Sequence, residues 1–330
     1  MTASNPAALH TVHTVLGPVP ADDLGVVSVH ERLLSVLPGA QFAHDITIDR
    51  ADVFERLERR LIDFREAGGG TLVDATGMFH GRDLRLYEAL SRATGVHVVA
   101  STGQGPEELL GGYFLTPQTN PPTPWPADRF ADLFAGEVTE GMVVPRVERR
   151  GAAGLVATAA TRGGMTATDE SLCRGAARAA LRTGVPVSVR FGADAEADLQ
   201  VVLDEGLPAD RVVVGGLDRA DAVDAGAHLA VAERGAFVAL DHVGSEGGEH
   251  VTDKERVALV LQLVAAGHAE RILLSCSATG AAFGHPGTDT AYSHVLASFV
   301  PALQSEGVDE DDVQRILVAN PRVLLTVKEP

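Results

Sequence analysis

Eight short apolar runs rich in Val, Ile and Leu recur nearly from one end of the chain to the other, and this repetition restricts the fold more tightly than any motif. They occupy residues 26–30, 71–76, 96–101, 154–158, 185–191, 212–216, 236–241 and 272–276. Most are near-continuous rather than alternating, the pattern of parallel strands covered on both faces. Amphipathic helical patterns lie between them. The pattern at 52–67 stops at Gly68-Gly69-Gly70. A capping box, Thr252-Asp253-Lys254-Glu255, precedes the pattern at 257–266, which stops at Gly267. A last one, 309–318, stops near Asn320-Pro321. Eight parallel strands joined by crossover helices favour a closed (β/α)8 TIM barrel over an open doubly wound sheet. An open dinucleotide-binding sheet would carry a Gly-x-Gly-x-x-Gly after an early strand, whereas the triple glycine here precedes a strand and is a helix stop. The barrel needs roughly 250 residues, so the chain, 1–330, reads as a single barrel domain.

One stretch breaks the rhythm. Residues 103–126 carry repeated Pro and Gly, including Asn120-Pro121-Pro122-Thr123-Pro124, and follow the third strand. Loops on that face of a barrel build active sites, so the stretch is expected to be an insertion over the barrel mouth. Tyr113, Phe114 and Trp125 could supply its apolar contacts.

Apolar residues make up 45% of the chain but aromatics only 5%, so the core is expected to be built mainly from Ala, Val and Leu. The formal net charge of −18 repels phosphate backbones and anionic lipid surfaces, which argues against nucleic acid and membrane as partners. An anionic substrate would have to be met by a local cluster of arginines. Two cysteines, Cys173 and Cys276, are too few for a disulfide framework or a cysteine-built zinc site. With no secretory pattern near Met1 and no apolar run of membrane-span length, a cytoplasmic location is expected.

Several segments resemble the phosphotriesterase-like branch of the amidohydrolase superfamily, in the right order over almost the whole chain. Among them are Gly25-Val26-Val27-Ser28-Val29-His30-Glu31-Arg32, Thr71-Leu72-Val73-Asp74-Ala75-Thr76 with Gly81-Arg82-Asp83, Thr183-Gly184-Val185-Pro186-Val187, Leu240-Asp241-His242 and Asn320-Pro321. The resemblance implies a barrel with a binuclear metal centre at the strand ends. It also implies homodimers. The implied ligands are two His on strand one, a carboxylated Lys on strand four, a His on each of strands five and six, and an Asp on strand eight. Carried onto this sequence, the first His is His30, but the other five positions fall on Arg32, Ala157, Arg190, Gly216 and Ser277. No His or Lys lies within two residues of Ala157, Arg190 or Gly216. A guanidinium stays protonated and does not ligate a cation, and a lone His does not hold zinc. The expectation is therefore no metal and no cofactor.

The substitutions exchange two dications for two guanidiniums. Arg32 and Arg190 would either clamp a small anionic ligand or pair with Glu31, Asp74 or Asp241 and plug a dead site. His30 and His242, with Asp241, are the candidates for acid–base chemistry. Arg32, Arg190, Asp74, Cys276 and Ser277 are the candidates for substrate contact, and Cys276 or Ser277 could be a nucleophile if a histidine reached it. His44, His80, His285 and His294 show no ligand spacing and are expected at the surface. Three functions remain open: a metal-independent enzyme acting on a small organic anion by hydrolase- or lyase/isomerase-type chemistry, an inactive binding or regulatory barrel, and a metal-dependent ester or lactone hydrolase with unrecognised ligands.

Overall fold

The computed structural model describes residues 10–110, 115–116, 123–145, 147–245 and 247–329. Tyr113 and Phe114 lie outside the described residues. Eight parallel strands appear where the eight apolar runs fall: β1 (Val26–Val36), β2 (Gly69–Asp74), β3 (His97–Thr102), β4 (Leu155–Ala159), β5 (Val187–Arg190), β6 (Val212–Gly215), β7 (Phe237–Leu240) and β8 (Ile272–Leu274). Each is hydrogen-bonded to the next in sequence, from β1 through to β8. The sheet closes through a further strand, β9 (Thr279–Phe283), which pairs in parallel with the second half of β1, Thr279 opposite Arg32 and Phe283 opposite Val36.

Two features of that closure depart from the sequence expectation. Strand β1 runs six residues beyond His30, to Val36, and the last run is strand only as far as Leu274, with a break at residues 275–278 before β9. Ser277, in that break, has a left-handed backbone with φ of 46°. Glu31 holds the break in shape. Its carboxylate accepts the backbone N–H of Cys276 at 2.8 Å and of Ala278 at 2.6 Å, and the Ser28 hydroxyl at 2.6 Å. The Arg32 N–H then donates to the Ala278 carbonyl at 2.9 Å.

The helices follow the expected alternation. Those named here are α1 (Arg50–Glu66), α2 (Leu84–Thr94), α3 (Ala127–Thr139), α4 (Ala167–Thr183), α5 (Ala195–Leu203), α6 (Ala220–Asp224), α7 (Ala227–Glu233) and α8 (Asp253–Ala265). Helix α8 begins with the capping box read from the sequence, Thr252 with Glu255. Two apolar clusters result. The larger fills the layer between strands and helices. The smaller lies inside the barrel, where Val27, Val73, Val99, Leu155, Val213, Ala239 and Leu273 meet. Val12 of an N-terminal hairpin, Leu24, Leu324 and Leu325 join the inner cluster, so that end of the barrel is plugged by apolar side chains. What remains open is the other end. Among the described residues, no helix is long and apolar enough to cross a membrane.

Candidate active site at the strand ends

Side chains alternate along a strand, so each inward residue of the plug is followed two positions later by another inward residue at the mouth. Leu155 leads to Ala157 and Ala159, Val213 to Gly215, and Ala239 to Asp241. These mouth positions, with His30, Arg32, Ser188, Arg190 and Ser277, line a cavity of about 420 Å³. Gln104, Gly105, Pro106 and Leu109, from the start of the long loop after β3, form part of its wall. Trp125, at the far end of that loop, is buried instead against Phe130 of α3, 5.5 Å between ring centres.

Two hydrogen-bonded chains meet at Asp241. In the first, Asp241 Oδ2 lies 3.0 Å from Nδ1 of His30, and Nε2 of His30 lies 2.9 Å from the Ser188 hydroxyl. In the second, His242 Nδ1 lies 2.8 Å from Asp218 and 3.1 Å from Asp241 Oδ1. Its Nε2 lies 2.8 Å from Nη2 of Arg190. A guanidinium only donates, so Nε2 of His242 accepts and the ring is the neutral Nδ1–H tautomer in this arrangement. Both carboxylates are closed on further donors. Gly216 N–H reaches Asp241 at 3.0 Å, and the wholly buried Arg256 reaches Asp218 at 2.7 Å. Burial raises the proton affinity of Asp241, but the hydrogen bonds from both histidines, and the charge His242 carries whenever it is protonated, outweigh it and hold the carboxyl well below its usual range. Burial lowers that of His242, and Asp241 and Asp218 reverse the shift to a net rise.

The two arginines differ from the buried Arg219 and Arg256, which are paired with Asp221 and Asp218. Among the described residues neither Arg32 nor Arg190 forms an ion pair with a carboxylate. Arg190 has the single side-chain contact to His242. Burial lowers the proton affinity of Arg32, and the neighbouring charge of Arg190 lowers it further. Two like charges thus face the same cavity.

Other candidates lie elsewhere. Asp74 is fully buried behind the barrel wall, accepting from Leu33 N–H at 2.7 Å and Tyr87 Oη at 3.0 Å, so it braces β1, β2 and α2 rather than meeting a substrate. Cys276 is also buried away from the cavity. Burial, reinforced by Glu31, pushes its thiol well above the usual range and makes it inert. Ser277 does line the cavity. His80 and His285, expected at the surface, both line it too, and His285 bonds Ser35 at 2.8 Å. Ser188 was not among the sequence candidates. The signal was present: it stands two residues before Arg190 in a strand and must share its face.

The implied binuclear centre does not fit these residues. Guanidiniums stand at two of its positions, and the inward positions of β4 are Leu155, Ala157 and Ala159. The mouth position of β6 is Gly215 rather than Gly216, and a Cβ there would already come within 2.8 Å of Asp241 Oδ2. Among the described residues one donor group does converge at the ends of β6 and β7: Asp218, Asp241 and His242. Its oxygens and Nδ1 are engaged with one another, with Arg256 and with backbone N–H groups, and Arg190 sits on Nε2 of His242. A dication there would lie against two guanidiniums.

The closed parallel barrel with a polar site at the strand ends defines the class, an α/β barrel of the TIM type. The chain belongs to the phosphotriesterase family, whose model matches residues 10–325. Similar proteins include an N-acetyltaurine hydrolase of Danio rerio, 25% identical over 96% of this chain and 98% of the relative. An aryldialkylphosphatase of Saccharolobus solfataricus is 26% identical over 92% of this chain and 96% of its own. A crystal structure of a Deinococcus radiodurans PTE-like lactonase mutant superposes with a TM-score of 0.85 at 26% identity, covering 96% of this chain and 100% of that one.

Proposed function

We propose that this chain is a metal-independent hydrolase of small acyl compounds that carry a separate anionic group. One observation carries the reading: the guanidiniums of Arg32 and Arg190 face a cavity of about 420 Å³ without carboxylate partners, beside His30 and Asp241. A self-plugged, inactive site would have closed those charges onto Glu31, Asp74 or Asp241, since an unpaired buried charge is costly. Glu31 and Asp74 are instead spent on backbone N–H groups. The guanidinium fork suits a carboxylate, sulfonate or phosphate. Hydrolase chemistry is supported by the names of the relatives, and N-acetyltaurine, named for one of them, is a small amide bearing a sulfonate. Metal independence is supported by the misfit of the donor set.

The test is calorimetric binding of acetate, succinate, N-acetyltaurine and inorganic phosphate, paired with turnover of N-acetyltaurine and monomethyl succinate in the presence of chelator. Binding of at least one of these anions, with chelator-insensitive turnover, is expected. No binding at millimolar concentration, or turnover that chelator abolishes, would overturn the reading.

A further inference from the structure

We propose that Ser188 is the nucleophile of this site, with His30 as its general base and Asp241 as the group that orients His30. The inference rests on the reading of the cavity as a hydrolase site and deepens it, from proton transfer by histidine alone to covalent catalysis.

The three residues come from β5, β1 and the end of β7, so no local motif announces them. Their contacts have the polarity the chemistry requires. Asp241 Oδ2 faces Nδ1 of His30 at 3.0 Å, which places the ring proton on Nδ1. That leaves the lone pair of Nε2 pointing at the Ser188 hydroxyl, 2.9 Å away. Asp241 is itself fixed by Gly216 N–H at 3.0 Å and by His242 at 3.1 Å, so the histidine cannot turn without breaking a second set of bonds. Gly215 makes room for the pair: a Cβ there would lie 2.8 Å from Asp241 Oδ2. Ser188 also lines the cavity, one inward step below Arg190. Two residues along a strand span roughly 6.6 Å. A small substrate could thus leave its anionic group with the guanidiniums and present its carbonyl to the hydroxyl.

The reaction balances with water as the only co-reactant. Ser188 Oγ bonds to the carbonyl carbon as His30 Nε2 takes its proton, and the C=O pair moves onto oxygen. Collapse breaks the bond to the alcohol or amine, which leaves with the proton from His30, and the acyl group stays on Ser188. Water then gives a proton to His30 and bonds to the acyl carbon. Ser188 leaves with that proton, and the products are the free acid and the alcohol or amine.

Two sulfonyl fluorides test the assignment on the intact chain: 4-(fluorosulfonyl)benzoate, which carries a carboxylate, and neutral phenylmethanesulfonyl fluoride. Intact mass and peptide mapping should show one adduct on Ser188. Ser188→Ala should abolish it, and His30→Gln should slow its formation by about 100-fold or more, the lower end of what a general base contributes. Arg190→Met should slow the carboxylate probe but not the neutral one. No adduct, an adduct on Ser277 or Ser35 instead, or unchanged labelling in His30→Gln would overturn the triad. Wild-type labelling and mapping decide even if a variant fails to fold. Failure of labelling with anion binding and turnover intact would sink the triad alone. Labelling at Ser188 without anion binding would sink the substrate reading instead.

Discussion

Arg190 is held by one polar contact, to Nε2 of His242, and its charge is left for whatever enters the cavity. Arg190→Met should therefore weaken binding of a small carboxylate or sulfonate by about 2–5 kcal/mol, the range for truncating one partner of a buried charge pair. It should shift the melting temperature little, since no ion pair is lost; a calorimetric affinity that stays put while stability collapses would refute the clamp. Glu31 makes the opposite case, a charged candidate turned to structure. Burial pushes its carboxyl up to about 7 against the hydrogen bonds from Ser28, Cys276 and Ala278. A folded value above the unfolded 4.5 means the folded chain holds a proton the unfolded chain has lost. The resulting stability is complete below about pH 4.5 and is lost as pH rises through about 7. Melting curves between pH 5 and 8 should fall for the wild type, and that part of the fall should vanish in Glu31→Gln. At this scale the sequence is legible where a side chain shares a strand face with a known neighbour, as Arg32 does with His30. It misleads where a residue's face depends on a break in register. The pairing of β1 with β2 shifts between Ser28 and Glu31, so the carboxylates of Glu31 and Asp74 could not be placed from spacing alone.

Strand existence was the easiest thing to read, because both faces of a parallel strand are buried and leave an unbroken apolar run. Strand ends were harder. Thr279-Gly280-Ala281-Ala282-Phe283 is too small and mixed to announce itself, yet as β9 it closes the barrel on β1. Its Gly280 shows what the closure demands. A Cβ there would meet Leu57 Cδ2 at 2.1 Å, the Tyr292 hydroxyl at 2.4 Å and the Leu33 carbonyl at 2.8 Å. The last of these is backbone and cannot rotate away. Gly280→Ala is expected to destabilise by about 1–3 kcal/mol through overpacking, read as a lower denaturation midpoint at unchanged slope. A neutral effect would mean that β9 adapts easily and that the register of closure is loosely held. His80 and His285 escaped notice for a related reason. They sit on the loops that follow β2 and β9, and a spacing rule carries no information about the path of those loops.

At the scale of the whole molecule the question under the proposed reading is what would stand in for the dinuclear metal centre that the resemblance implies, in a chain with a formal charge of −18. A metal bound only by the folded state adds stability that depends on its free concentration, and chelator removes it. In the proposed reading the local positive charge is covalent instead. Arg32 and Arg190 keep their charges whatever the solution contains, because guanidiniums do not deprotonate at working pH. The remaining donor group, Asp218 with Asp241 and His242, is already neutralised in part by Arg256, and that pair anchors α8 to the end of β6. Chelator should therefore leave the melting temperature unchanged, and dialysis against zinc or manganese should not raise it. Phosphotriesters should be turned over negligibly, since without a metal the attacking water keeps a pKa near that of bulk water. Thermal melts with and without chelator, together with elemental analysis of protein purified without it, check the claim. Stoichiometric zinc, manganese or cobalt near His30, or a melting point that falls on chelation, would show that the family's metal chemistry survives on other ligands.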